Sequence, residues 1–107
     1  MLSQLSGLDV VAEASGATDA MAFVRDLSPD LVILDLRMRD GSGFEVLREL
    51  RRTSKTTKVI IFTNHPEEQY RRRCAELGAD YFLSKSSDAG LLMEITRQLI
   101  PASYASL

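Results

Sequence analysis

The chain has very little cysteine. Cys74 stands alone among 107 residues, so no disulfide can form within it, which fits a reducing, cytoplasmic setting. Long hydrophobic runs are also missing: nothing approaches the roughly 18 apolar residues a membrane-spanning helix needs. Residues 1–7 lack the basic and apolar regions of a secretory leader. Neither sign of charge dominates. Thirteen basic residues against fifteen acidic leave a net charge of −2, so bulk charge steers the chain toward neither nucleic acid nor a membrane surface. The only histidine, His65, has no second ligand at metal spacing and reads as structural or solvated. There are no internal repeats and no low-complexity stretches. The length allows one domain with a modest core. Residues 1–107 read as that domain, with 102–107 as a frayed tail and no output domain after it.

What the chain does have is alternation of two kinds of segment. Strand-like runs lie at Leu8–Ala14, Leu31–Leu36, Lys58–Thr63 and Tyr81–Leu83, the third rich in β-branched residues. Between them are helical patterns. Thr18–Leu27 carries Ala20, Phe23, Val24 and Leu27 on one stripe, and Phe44–Arg52 turns Phe44, Leu47 and Leu50 inward. A third helix opens at Pro66, whose fixed φ suits a first turn, and closes at Gly78. A last one is capped by Ser86 or Ser87, carries Leu91, Leu92, Ile95 and Leu99, and ends before Pro101. Strands alternating with helices imply an α/β fold with a parallel sheet and right-handed crossovers.

The run Asp30-Leu31-Val32-Ile33-Leu34-Asp35-Leu36 carries the most chemistry. A short continuous apolar run is how a strand buried on both faces reads, and ligands of open α/β sheets bind beyond the carboxyl ends of the strands. Asp35 sits at such an end. The next strand ends at Thr63, followed by Asn64, and the fourth leads to Lys85. A carboxylate, a hydroxyl and an ammonium at three successive strand ends form a phosphate-sized site. The carboxylate can attack phosphorus and form an acyl phosphate, the ammonium can neutralise a phosphoryl oxygen, and the hydroxyl can bond another. The blander readings are a loop-capping aspartate at Asp35 and a solvated lysine at Lys85. A cation at a helix start is disfavoured by the dipole, which argues for a functional reason at Lys85.

In these pieces, together with Arg37-Met38, Gly41–Glu45, Leu77-Gly78-Ala79-Asp80-Tyr81-Phe82 and Lys85-Ser86, the chain resembles the receiver domain of two-component response regulators, over nearly its whole length. The resemblance implies a flavodoxin-like open parallel sheet with helices on both faces and strand order 2-1-3-4-5. It implies that Asp35 accepts a phosphoryl group and that Lys85 contacts that group. Thr63 would be the switch hydroxyl and Phe82 the switch aromatic. The cofactor would be Mg²⁺, held by Asp35 and the backbone carbonyl of Arg37. A histidine kinase or phosphotransfer protein would be the donor, and a downstream protein would bind the 66–85 face. No enzymatic activity is implied beyond autocatalytic phosphate acceptance at Asp35.

The departures matter as much. Receivers carry a further strand, with an acidic pair at its end, and a helix before the segment at Leu8. Residues 1–7 cannot hold them, since a crossover takes roughly 10 or more residues besides its strands. The resemblance therefore implies an N-terminally truncated fold lacking a central strand and the metal-holding acids, with Met1–Leu5 as a helix stump. Glu13 is a weak substitute metal ligand, and Asp9 lies at the wrong end of its strand. Arg39 replaces the usual proline, and Asn64 is bulkier than the usual small residue. The gap in the sheet and exposed apolar surface around Val10, Ile33 and Ile60 lead us to expect a homodimer or higher oligomer. Arg71-Arg72-Arg73 reads as a solvated or protein-facing helix surface, with no nucleic-acid partner expected. Cys74 lies at helical spacing with Tyr70 and Leu77 and reads as core. Two functions follow: a phosphoacceptor receiver, or a phosphorylation-independent interaction module that keeps the fold without the Mg²⁺-dependent chemistry.

Overall fold

A computed structural model describes residues 10–13, 16–27, 29–99 and 104–106. The stump expected at Met1–Leu5, and Leu8, Asp9 and Ala14 of the expected first strand, lie outside the described residues. In chain order the elements are β1 (Val10–Glu13), α1 (Ala17–Leu27), β2 (Leu31–Leu34), β3 (Arg37–Met38), β4 (Gly41–Ser42), α2 (Gly43–Thr53), β5 (Lys58–Thr63), α3 (Glu68–Glu76), β6 (Tyr81–Ser84), α4 (Ala89–Leu99) and β7 (Tyr104–Ser106). Five strands form one sheet in the order β1-β7-β2-β5-β6, and β3 and β4 form a separate antiparallel pair. Every pairing within the large sheet is parallel.

The central slot is the main correction to the sequence reading. The tail expected to fray contains β7, which runs parallel between β1 and β2, with Tyr104 opposite both Val10 and Leu31 and Ser106 opposite both Glu13 and Ile33. Buried backbone donors and acceptors must be paired, and here the chain's own C-terminal segment pairs them. The gap in the sheet, one of the two grounds for expecting an oligomer, is thereby closed.

The buried strands sort their side chains by the period of two that a pleated strand imposes. Val32, Leu34, Val59 and Ile61 face α1, α2 and α3, where they pack with Ala20, Val46, Leu47, Leu50 and Cys74. Leu31, Ile33, Ile60, Phe62 and Leu83 face Leu92 and Ile95 of α4. Helices therefore cover both faces. Ile33 and Ile60, around which exposed apolar surface was expected, are 2% and 0% exposed, because they cluster with Leu92 and Ile95 of α4. Each such fully buried side chain contributes about 1.5–3 kcal/mol.

The starts of α3 and α4 depart from the sequence reading. α3 begins at Glu68 rather than Pro66, because Glu67 is extended (φ −57°, ψ 144°). α4 begins after Asp88, not directly after Ser86 or Ser87. Leu91, one of the apolar residues of the last helix, is 49% exposed, since Leu92, Ile95 and Thr96 take the buried face.

Candidate functional site

The apolar run of β2 ends at Leu34, and the next residue, Asp35, is only partly buried. Its two carboxylate oxygens have different partners. Oδ2 accepts from Lys85 Nζ at 2.6 Å, and Oδ1 accepts from the backbone N–H of Arg37 at 3.3 Å. The Lys85 contact is an ion pair between two of the three strand ends that the sequence places together. The side chains are 36% and 26% exposed, so the pair contributes at most about 1 kcal/mol to stability. What it does provide is an ammonium held within reach of whatever binds the carboxylate.

Lys85 is held by the turn around it. Its backbone N–H donates to the carbonyl of Thr63 at 2.9 Å, which ties the end of β6 to the end of β5. Asp88 Oδ2 accepts from the N–H of Ser84 at 2.8 Å, and the Ser84 and Ser86 hydroxyls are 2.9 Å apart. Sequence reasoning credited the serines with capping and missed Asp88.

Thr63 is fully buried, opposite Ser84. Its hydroxyl accepts the N–H of His65 at 3.1 Å, so it is engaged with the loop into α3 rather than with Asp35. Asn64 is exposed. Phe82 pairs with Ile61 in register and packs, half-buried, against the core on the α1–α3 face. The structure thus brings Asp35 and Lys85 into contact, joins Thr63 to them through the β5–β6 ladder, and leaves Phe82 on the outer strand.

Two further residues shape the site. The β3–β4 hairpin folds the chain back after Asp35, so that Gly43 opens α2 directly over it. The N–H of Gly43 donates to Leu36 O at 2.9 Å. A Cβ at Gly43 would lie 2.2 Å from the carbonyl oxygen of Asp35, a distance at which the backbone must move. Asp40, at the tip of the hairpin, accepts from the backbone N–H of Ala17 at the start of α1. Hydrogen bonding from Thr18, then from Ala17, holds its carboxyl below the ordinary value of 3.8.

A hard divalent cation finds few ligands here. Among the described residues no group of three or more His, Cys, Asp or Glu side chains is placed to hold a metal. The Asp35 carboxylate is paired with Lys85, and the Arg37 carbonyl is the other oxygen the resemblance assigns. Glu13 ends β1, separated from β2 by β7, and its side chain lies outside the described residues. Mg²⁺ commonly takes one or two carboxylates together with waters and phosphate oxygens. One carboxylate already paired with an ammonium is not a preformed site for it.

Burial raises the Cys74 thiol to about 11. With no exposed sulfur, it is core, as its spacing implied.

Comparison with known proteins agrees with the geometry. A sequence model described as the response regulator receiver domain matches residues 1–97. The chain is 30% identical over 99 residues to the response regulator GacA of Pseudomonas aeruginosa, covering 92% of this chain and 46% of that protein. It is 33% identical over 104 residues to a putative transcriptional regulator of the same organism, covering 97% and 50%. The chain therefore spans about half the length of the curated relatives it matches. Among solved structures, a LuxR-family two-component response regulator from Aurantimonas is 29% identical with a TM-score of 0.83, covering 99% of this chain and 75% of that one. The receiver domain of a putative NarL regulator from Mycobacterium tuberculosis is 28% identical with a TM-score of 0.79, covering 90% and 78%.

Proposed function

The chain belongs to the response regulator receiver domain family of two-component systems, and on that premise we propose that it accepts a phosphoryl group on Asp35. The observation that carries this reading is the Asp35–Lys85 contact of 2.6 Å at the carboxyl ends of two parallel strands. An oxygen of the Asp35 carboxylate attacks the phosphorus of a phosphorylated donor. The bond from phosphorus to the donor breaks, its electron pair leaves with the donor, and an acyl phosphate remains on Asp35. Lys85 then exchanges its carboxylate partner for a phosphoryl oxygen and neutralises part of the added charge.

Thr63 is the switch hydroxyl in this reading. Its hydroxyl accepts the N–H of His65 and keeps its own proton to donate to a phosphoryl oxygen, so a movement of Thr63 toward that oxygen pulls on the loop leading to α3. Phe82 is the aromatic that responds, and the 66–85 face is where a downstream protein reads the change. Receiver domains work with histidine kinases, so a kinase or phosphotransfer protein is the donor we assign. A DNA-binding response regulator of the LuxR family from Staphylococcus aureus, at 28% identity, is among the structural relatives, so the expectation of no nucleic-acid partner is kept for this domain and not extended to the whole protein. The domain itself supplies no catalysis for another substrate in this reading.

Mg²⁺ binding is weak in this reading, because Asp35 and one backbone carbonyl are the protein oxygens assigned to hold the ion, fewer than a hard divalent cation ordinarily takes. Incubation with a small acyl-phosphate donor across a Mg²⁺ series, followed by intact mass, tests the proposal. One phosphoryl group per chain, with uptake still rising at millimolar Mg²⁺, supports it. Absence of uptake at every Mg²⁺ concentration overturns it and leaves an interaction module that works without phosphorylation.

A further inference from the structure

Arg71, on α3, reaches across to β6. Its guanidinium carbon lies 4.7 Å from the centroid of the Phe82 ring, within the range where a cation is drawn to an aromatic face. One of its nitrogens, Nη1, is 3.3 Å from the carbonyl oxygen of the same Phe82. Another, Nε, is 3.5 Å from Glu68 Oε2 one turn earlier. A single side chain therefore touches both the ring and the backbone of Phe82 and is oriented by the first residue of α3.

We infer that Arg71 is a positioning residue for Phe82, a lid that holds the ring half-buried against the sheet and ties it to the loop that follows Thr63. The physical route is short. The Thr63 hydroxyl holds the N–H of His65, the loop runs through Glu67, whose carbonyl anchors the N–H groups of Tyr70 and Arg71, and Glu68 holds Arg71 over the ring. A shift of that loop carries Glu68 and Arg71 with it and uncovers Phe82. Contiguous contacts of this kind carry coupling only where the element at the end has two positions, and the second position the inference assigns to Phe82 is the ring released from Arg71.

This inference rests on the reading of Phe82 as the switch aromatic, but the lid is tested without any phosphorylation, so the two can fail separately. The full chain is labelled with 4-fluorophenylalanine at its four phenylalanines, and the Phe82 resonance is assigned with Phe82→Leu. In Arg71→Ala the Phe82 resonance moves and gains a larger H₂O/D₂O shift, while those of Phe23, Phe44 and Phe62 stay in place. Arg71→Lys returns it partway, because an ammonium retains some attraction to the ring. Glu68→Gln reproduces part of the Arg71→Ala shift. A double-mutant cycle of Arg71→Ala with Phe82→Leu gives a coupling of roughly two- to fivefold in the unfolding equilibrium. A Phe82 resonance unchanged in Arg71→Ala overturns the lid, as does an equal shift of all four resonances. No effect of Glu68→Gln overturns its tie to the loop.

Discussion

Gly43 lies against the backbone of Asp35 so closely that a single added methyl would sit 2.2 Å from the Asp35 carbonyl oxygen. The glycine is there for approach, not for an unusual φ. It lets the start of α2 press on the turn that carries the carboxylate, so the position of Asp35 depends on a residue eight places later in the chain.

Gly43→Ala is therefore expected to displace Asp35 and to cost about 1–3 kcal/mol, the usual range for overpacking, toward its upper end because the clash is with backbone. Urea denaturation gives the stability loss. Nitrogen-15 chemical shifts at Asp35, Arg37 and Lys85 should move together. A variant of unchanged stability and unchanged shifts at Asp35 would mean the two backbones separate without cost.

Arg51 pins the opposite end of the domain. Its guanidinium donates to Gly78 O at 2.9 Å, to Thr57 O at 2.6 Å and to Asp80 Oδ2 at 2.9 Å. Asp80 in turn accepts the N–H of Val59 at 2.8 Å. The Arg51 and Asp80 side chains are 15% and 30% exposed, so the pair is partly shielded. Arg51→Met keeps the stem and removes the donors, and a loss of about 2–3 kcal/mol is expected. Arg51→Lys should recover little, because one ammonium cannot reproduce the fork. Thermal unfolding of the three proteins side by side measures this.

The Asp40 contact should appear as acid sensitivity. Its carboxyl is held below the ordinary value of 3.8, chiefly by the Thr18 hydroxyl, so the folded chain binds fewer protons there than the unfolded chain. The stabilisation is complete above the unfolded value and is lost as pH falls through the lower, folded one. Asp40→Asn should flatten the stability profile below about pH 4 and leave it parallel to wild type near neutrality. A profile steeper in acid than that of wild type would reverse the assigned sign.

Much of this was legible in the sequence, and what was missed has physical reasons. The run Leu31–Leu36 announces a strand buried on both faces, and the carboxylate that ends it announces a site. Lys85 and Thr63 follow from the same reasoning on β6 and β5. The strand Tyr104–Ser106 was not legible: three residues with no apolar run, following Pro101, have no local pattern of their own. Their pairing is decided by the slot that β1 and β2 leave between them. The β3–β4 hairpin is two residues a side and carries no alternation to read. Asp88 bonds back to the N–H of Ser84, a contact made by the turn after β6 that no local pattern announces. Gly43 is like any helix-start glycine until the chain folds back on Asp35. Arg71 looked like one third of a basic run, and only the third dimension separates it from Arg72 and Arg73.

The central claim is that Asp35 is the residue that receives phosphate, and peptide mapping tests it most directly. The chain is exposed to a small acyl-phosphate donor with Mg²⁺, quenched in acid, digested, and mapped by mass spectrometry with and without hydroxylamine, which cleaves acyl phosphates. The expected result is one hydroxylamine-labile phosphoryl group on the peptide containing Asp35, absent from Asp35→Asn. A phosphoryl group on any other residue, or its persistence in Asp35→Asn, would contradict the account.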